Sequence, residues 1–413
     1  MKMKSNIEIF LSRPMWILKI LSIWLRLEKP VFLYYTTQAV VLFTQYSFLI
    51  FEFMYIVFVW GDIDEVSEAS YLFFTQASVC YKVAVFVLHK KNLKSLLDFM
   101  MVDTFAPQST VHSEILTTNA RKVKRLCAVF LVSAFMTCSL WAIMPWFDEA
   151  ETRSFPFKIW MPVSSHTFAQ YISGYLYQIV SVYISALLFF AVDSTTLSMI
   201  IFGCAQLEIV IDKIKKVKNV PMSVKLNKKQ LIKDNNELFI QCIHQHQEVI
   251  RFVELLENTY HANIFFQLSG TVGIICIIGL RITITEPSSV QFYSMLNYMV
   301  TMLSQLLLYC WCGTELTTKS EDLRQWIYQC PWYEQDSKFR RSLVIAMDCM
   351  RRPIIFKAGH YIPLSRPTFV SVSILFLISS IKYVKIYITV KINVLFTRLP
   401  RKGYVSRAYL VCL

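Results

Sequence analysis

The chain has 413 residues, 55% of them hydrophobic, and a mean hydropathy of +0.44. Charged residues make up 17%, against about 25% in soluble domains. With 31 Phe, 21 Tyr and 9 Trp but 9 Gly, that balance excludes a soluble enzyme and points to a single all-α polytopic membrane unit. The net charge of +14 is no nucleic-acid signature. The excess sits in connections beside apolar runs, where anionic cytoplasmic lipid favours it.

Residues 1–30 mix Lys2, Lys4, Arg13, Lys19, Arg26 and Lys29 with short apolar patches. No cleavable signal is expected, and Ile7 to Leu27 reads as an amphipathic helix lying at the membrane interface, interrupted near Pro14. A membrane helix needs about 20 apolar residues. Seven runs qualify, at about 36–60, 69–89, 126–146, 173–204, 262–282, 290–313 and 363–385. The fourth is long enough to tilt or to extend inward.

Lys and Arg fix the orientation. Connections 1–30, 89–125, 205–261 and 314–358 hold thirty, whereas the alternate connections hold three, counting Arg281. This positive-inside bias places the N-terminus in the cytoplasm. A G-protein-coupled receptor has the opposite orientation. A transporter would want broken helices in repeated halves, and no internal repeat is visible.

The outer connection Gly61 to Glu68 is short and acidic. A solvated turn is the ordinary reading, and a cation-concentrating mouth the functional one. Between 205 and 261, Phe239 to Leu256 carries apolar residues near a 3.6 period, which predicts a helix. His244 and His246 lack further ligands nearby and are expected as a helix-surface pair. Eleven cysteines fall away from the outer loops, so neither an outer disulfide nor a zinc site is expected. Cys310 and Cys312 read as structural thiols.

Glu52, Lys82, Asp193 and Arg366 interrupt apolar runs. Each is a candidate functional group because intramembrane charge is costly unless paired or hydrated. Lys82 and Asp193 are expected to pair across the bundle. Arg366 is expected near the inner mouth, where it snorkels or repels cations.

The stretch from Gln305 to Leu364 organises the rest. The sixth run leaves the membrane without a helix-breaking residue, continues through Lys319 to Trp326, and stops at Pro331. A second helix spans about Ser337 to Met350, followed by Pro353. Two rods therefore project on the basic side before the chain re-enters the membrane after Pro363-Leu364.

This block carries a resemblance. Tyr309-Cys310-Trp311-Cys312-Gly313-Thr314-Glu315-Leu316, Pro331-Trp332-Tyr333, Met350-Arg351-Arg352-Pro353, Ala358-Gly359 and Pro363-Leu364-Ser365 resemble, in order and spacing, the sixth and seventh segments of the insect odorant receptor family. Gln245 to Phe252 resembles its helix approaching the fifth segment. The resemblance implies a seven-helix, inverted-topology, ligand-binding subunit. Such a subunit joins a co-receptor in a heterotetrameric cation channel in the plasma membrane of olfactory sensory neurons. No enzyme activity, cofactor, metal or nucleic-acid partner is implied. Residues 205–261 and 310–355 would form the assembly region, with Trp311, Trp326, Trp332 and Tyr333 at contacts. The last helix, 363–385, would line the pore with Val372, Phe376 and Ser379. A gustatory receptor of the same superfamily is the nearest alternative, but its Thr-Tyr and Gln-Phe pattern is missing from the last helix.

An apolar volatile needs an apolar cavity with a few polar groups. The outer halves of helices two, three, four and six offer Phe73, Phe74, Ser78, Trp141, Met144, Tyr175, Gln178, Tyr298, Met299 and Met302. Aromatic rings supply shape and methionine adaptability, and the family's odorant pocket lies in that region. Taken singly, each residue is more often helix packing. After Val372 the chain departs from the family pattern and ends in a basic tail, 386–413. The final 40 or so residues are therefore expected to be read-through of a retained intron.

Overall fold

The structure is a computed structural model that describes residues 5–25, 30–143, 145, 155–162, 167–218, 228–285 and 289–374. It is helical almost throughout: α1 (Asn6–Ile20), α2 (Val31–Phe58), α3 (Ile63–Leu88), α4 (Lys90–Met100), α5 (Thr110–Ile143), α6 (Phe168–Lys215), α7 (Lys228–Ile284), α8 (Val290–Gln329) and α9 (Ser337–Cys349). A tenth helix, α10, starts at 366 and is described to 374. Among the described residues, α2, α3, α5, α6, α7 and α8 are long and apolar enough to cross a membrane. The seventh expected span, 363–385, overlaps α10, and its residues beyond 374 lie outside the described residues.

Hydropathy marks only the lipid-facing part of each rod. At 1.5 Å per residue, the 48 residues of α6 reach about 72 Å and the 57 of α7 about 85 Å. A hydrocarbon layer is about 30 Å thick. The surplus of α5, α6, α7 and α8 therefore forms a second, inner bundle on the lysine- and arginine-rich side. The expected helix at 239–256 and the span at 262–282 are one element, since no proline interrupts 228–284. α5 likewise begins well before the apolar run at 126.

α6 is the axis, packed against α1, α2, α3, α5, α7 and α8. In the inner bundle, Phe202 of α6 meets Phe10, Phe105 and Phe252 with ring centroids 5.4–5.6 Å apart, each edge-on. Each such ring, taken out of water, stabilises the bundle by roughly 1.5–3 kcal/mol.

The N-terminal segment differs from its expected form. α1 runs unbroken through Pro14, and Phe10, Leu11 and Leu18 are fully buried. Asn6 Nδ2 donates to the carbonyl of Met100 at 2.9 Å. Packing against α6 outweighs the lost amide of Pro14, so this helix belongs to the inner bundle and does not lie free at the interface.

α8 ends at Gln329, just before Pro331, and Asp336 caps α9 by accepting from the amide of Phe339 at 2.9 Å. Beyond α9, among the described residues, the all-α pattern has one exception. Lys357–Ala358 pairs antiparallel with Ile362–Pro363. The tip of this hairpin needs glycine. Gly359 has φ +60, and a Cβ there would press 2.8 Å from the ring of Phe265 in α7. Its amide donates to the carbonyl of His261 at 3.0 Å, which pins the root of α10 to α7.

Candidate functional site

α3, α5, α6 and α8 line a small cavity of about 60 Å³ in the membrane-spanning bundle. Each helix contributes one face at steps of three or four. α3 gives Leu72, Thr75, Gln76 and Val79; α5 gives Phe130, Ala134, Thr137, Cys138 and Trp141. α6 gives Val182, Ser185, Ala186 and Phe189; α8 gives Tyr298, Thr301 and Met302. Most of this wall is apolar. The polar points are held by neighbours: the Tyr298 and Thr75 hydroxyls are hydrogen-bonded to each other, and Asn297 Nδ2 donates to Thr137 Oγ1 at 2.8 Å.

A strap, residues 155–162, covers the outer end. Gln178 holds it with both ends of its amide, accepting from the Phe157 N–H at 3.0 Å and donating to the Phe157 carbonyl at 3.3 Å. The Phe157 ring then stands edge-on to Trp141 at 5.5 Å. Gly174 leaves room for the ring of Phe155, which a Cβ would meet at 2.8 Å. Lys158 reaches Glu65 at 2.9 Å and Glu68 at 3.1 Å, and Arg281 reaches Glu68 at 2.9 Å. Burial works against the Lys158 ammonium, but its bonds to the two carboxylates outweigh that and hold its pKa above the usual value. The acidic outer connection is thus no free turn: Glu65 and Glu68 sit in the first turns of α3 and serve as anchors for the strap.

A charged network forms the floor. Lys82 Nζ donates to Asp193 Oδ1 at 2.7 Å, with 1% and 2% of the side chains exposed. Tyr309 also donates to Oδ1, at 2.8 Å, and Gln305 donates to Oδ2. Gln305 accepts from Gln267 at 2.8 Å, which accepts from Ser78 at 2.6 Å. The expected pairing of Lys82 with Asp193 is therefore present. Lys82 also lies 3.7 Å from the centroid of Phe189, so the cavity wall rests directly on the ion pair.

Of the ten residues singled out from the sequence, the cavity brings together Trp141, Tyr298 and Met302. Ser78 and Gln178 are spent on the contacts just described. Tyr175 donates to the carbonyl of Ala142 at 2.5 Å. Phe73 packs on Phe53 and Phe74, and Phe74 is exposed. Met299 is half-buried, packed against the core away from the cavity wall. Met144 lies outside the described residues. On α3 and α8 the cavity lies at the depth of the expected residues, and on α5 and α6 it reaches deeper. The signal it passed over was the 3–4 spacing of small and hydroxyl residues in mid-membrane, such as Ala134 with Thr137 and Cys138.

The inner contacts are placed as follows. Trp311 and Trp332 are half-buried, Trp326 is 37% exposed with Lys215 Nζ 3.9 Å from its ring centroid, and Tyr333 is 64% exposed. Val372 is half-buried on α10, while Phe376 and Ser379 lie outside the described residues. Arg366 is exposed at the start of α10, its amide bonded to Thr314 Oγ1 at 3.0 Å. His246 is not on the surface as expected. It is 5% exposed, while His244, two residues away and so on the opposite face, is exposed. Among the described residues, no three His, Cys, Asp or Glu side chains gather as a metal site.

Known proteins resemble this arrangement along most of its length. Odorant receptor Or1 of Anopheles gambiae is 19% identical over 72% of this chain and 75% of its own. Odorant receptor 46a, isoform A, of Drosophila melanogaster is 21% identical over 84% and 89%. The structure of the olfactory receptor OR5 from Machilis hrabei in complex with eugenol superposes with a TM-score of 0.76 at 12% identity, covering 91% of this chain and 97% of that one. A second structure of the same receptor gives 0.78 at 13% identity. The match to the family described as "7tm Odorant receptor" spans residues 62–375, from the outer turn before α3 to the point where the tail departs from pattern. With that span and the seven-helix fold agreeing, the chain belongs to the 7tm odorant receptor family.

Proposed function

We propose that this chain is the variable, ligand-binding subunit of an odorant-gated cation channel, and that a small volatile enters the cavity beneath the 155–162 strap. The carrying observation is the cavity itself: apolar walls from four helices, a few fixed polar points, and an aromatic outer end built by Trp141 and Tyr298. The eugenol complex of the similar Machilis hrabei receptor supports a small-molecule ligand.

In this reading the partner is a co-receptor subunit in a heterotetramer, in the plasma membrane of olfactory sensory neurons. The exposed Trp326, Tyr333, Val344 and Ile345 on the inner rods support subunit contacts there. α10 lines the pore. Ligand opens the pore by binding the conducting arrangement more tightly than the closed one. Leu364, packed on Gly313 of α8, supports a mechanical link from the cavity helices to α10. No chemical step is involved.

The test is co-expression in oocytes. Odorant-evoked cation current is expected with the co-receptor and not without it. Current without the co-receptor, or a response delayed by a G-protein cascade, contradicts the proposal.

A further inference from the structure

Glu52 lies inside the apolar run of α2 and is 1% exposed. Neither carboxyl oxygen has a hydrogen-bond partner among the described residues. Lys82 and Asp193 satisfy each other, and Arg366 is exposed. The nearest outer cations are committed elsewhere, Arg281 to Glu68 and Lys158 to Glu65 and Glu68. An ionisable group retained in the membrane marks a functional site by default. A buried polar group without a partner calls for an explanation.

Gln45, two turns before Glu52 on the same face of α2, accepts from Ser185 of the cavity wall at 2.6 Å. Phe48, one turn before Glu52, packs on Phe157 and Tyr177 at 6.4 and 6.2 Å. Phe157 packs on Trp141, Trp141 on Tyr298 at 5.0 Å, and Tyr298 on Tyr71 at 5.9 Å. Glu52 acts electrostatically on Tyr71, Tyr177 and Tyr298. Trp141 and Tyr298 are also the outer wall of the cavity. The face of α2 that carries Glu52 therefore borders the cavity through Gln45 and, by way of Phe48 and Phe157, its aromatic outer end.

We infer that Glu52 and these rings form an ammonium site at the outer end of the cavity, and that the ligand is a small volatile amine whose apolar tail fills the space between α3, α5, α6 and α8. The inference rests on the ligand-binding role proposed above and names its ligand class. An ammonium N–H donates to the carboxylate, and the ring faces attract the same cation. An alcohol offers a hydroxyl but brings no positive charge and gains nothing from the ring faces. A carboxylic acid likewise brings no cation for the carboxyl and the rings to hold. The apolar wall from Leu72 to Val79 and from Val182 to Phe189 suits an alkyl tail.

The test heats the full-length chain, purified in detergent, with 1-aminohexane, 1-hexanol or hexanoic acid at equal concentration. The amine is expected to raise Tm by roughly 3 °C more than the alcohol, as ligand linkage requires for tighter binding to the folded state. Glu52→Gln should abolish that difference and keep the alcohol's own shift, whereas Glu52→Asp should keep the preference for the amine. Equal shifts from amine and alcohol in the unsubstituted chain overturn the inference, as does a preference that survives Glu52→Gln. If Glu52→Gln does not fold, the unsubstituted chain and Glu52→Asp decide. Oocyte currents separate the two proposals. Currents evoked equally by hexanol and the amine remove the ammonium site and leave the odorant-gated channel. An amine preference on heating, with no evoked current beside the co-receptor, does the reverse.

Discussion

Lys82 of α3 and Asp193 of α6 meet at 2.7 Å with almost none of either side chain exposed. Asp193 takes two further donors from α8, Gln305 and Tyr309. Three membrane helices thus converge on one carboxylate, and the Phe189 ring above it belongs to the cavity.

Breaking this pair from one side leaves a buried charge alone, which costs about 3–5 kcal/mol, whereas replacing both partners is far milder. Lys82→Met and Asp193→Asn are each expected to lower surface expression and evoked current strongly, and the double variant to recover part of both. Surface biotinylation with current recording checks this. Two silent single variants would refute the pair's role.

Filling the cavity should block ligand without unfolding the chain. Ala186 lines it from α6. Ala186→Phe is expected to raise the half-maximal odorant concentration at least tenfold, an effect of about 1.4 kcal/mol, with surface expression unchanged. Tyr298→Phe removes the bond to Thr75. It should shift the same concentration about fivefold, from about 1 kcal/mol. Dose–response curves on matched surface levels measure both.

The strap is held partly by an exposed lysine. Lys158 is 41% exposed, so its ion pairs are worth under about 1 kcal/mol. Lys158→Ala should therefore change equilibrium sensitivity little. Both onset and decay of the response should become faster as the outer cover loosens, which rapid perfusion resolves. Unchanged kinetics count against a covering role.

At the inner end, Gly313 lies against the backbone of Leu364, where any Cβ would overlap it. Gly313→Ala must displace the root of α10. Altered resting current at normal surface expression is the expected outcome, while Gly203→Ala, which meets its neighbours at 3.4 Å or more, is the control.

Much of the fold was legible because apolar runs and basic connections report directly on the bilayer. Pro331 marks the end of the first projecting rod in the sequence itself. Lys82 and Asp193 stood out because charge in an apolar run demands a partner. Other features depended on tertiary packing. Pro14 predicts a break that burial of Phe10 and Leu18 overrides. His246 reads as polar surface until α7 is seen to turn it inward, where it is 5% exposed. Gln178 resembles a ligand contact in sequence, yet the strap takes both ends of its amide. Along α5 and α6 the cavity reaches deeper than the expected aromatic residues because Ala134, Ala186 and Ser185 make room by being small.

The most direct measurement is a cryo-electron-microscopy map of the full-length chain assembled with its co-receptor at saturating agonist. Ligand density is expected between α3, α5, α6 and α8, against Trp141, Tyr298 and Met302. Density confined to another site, or an empty cavity in an open channel, would contradict the proposed ligand-binding role.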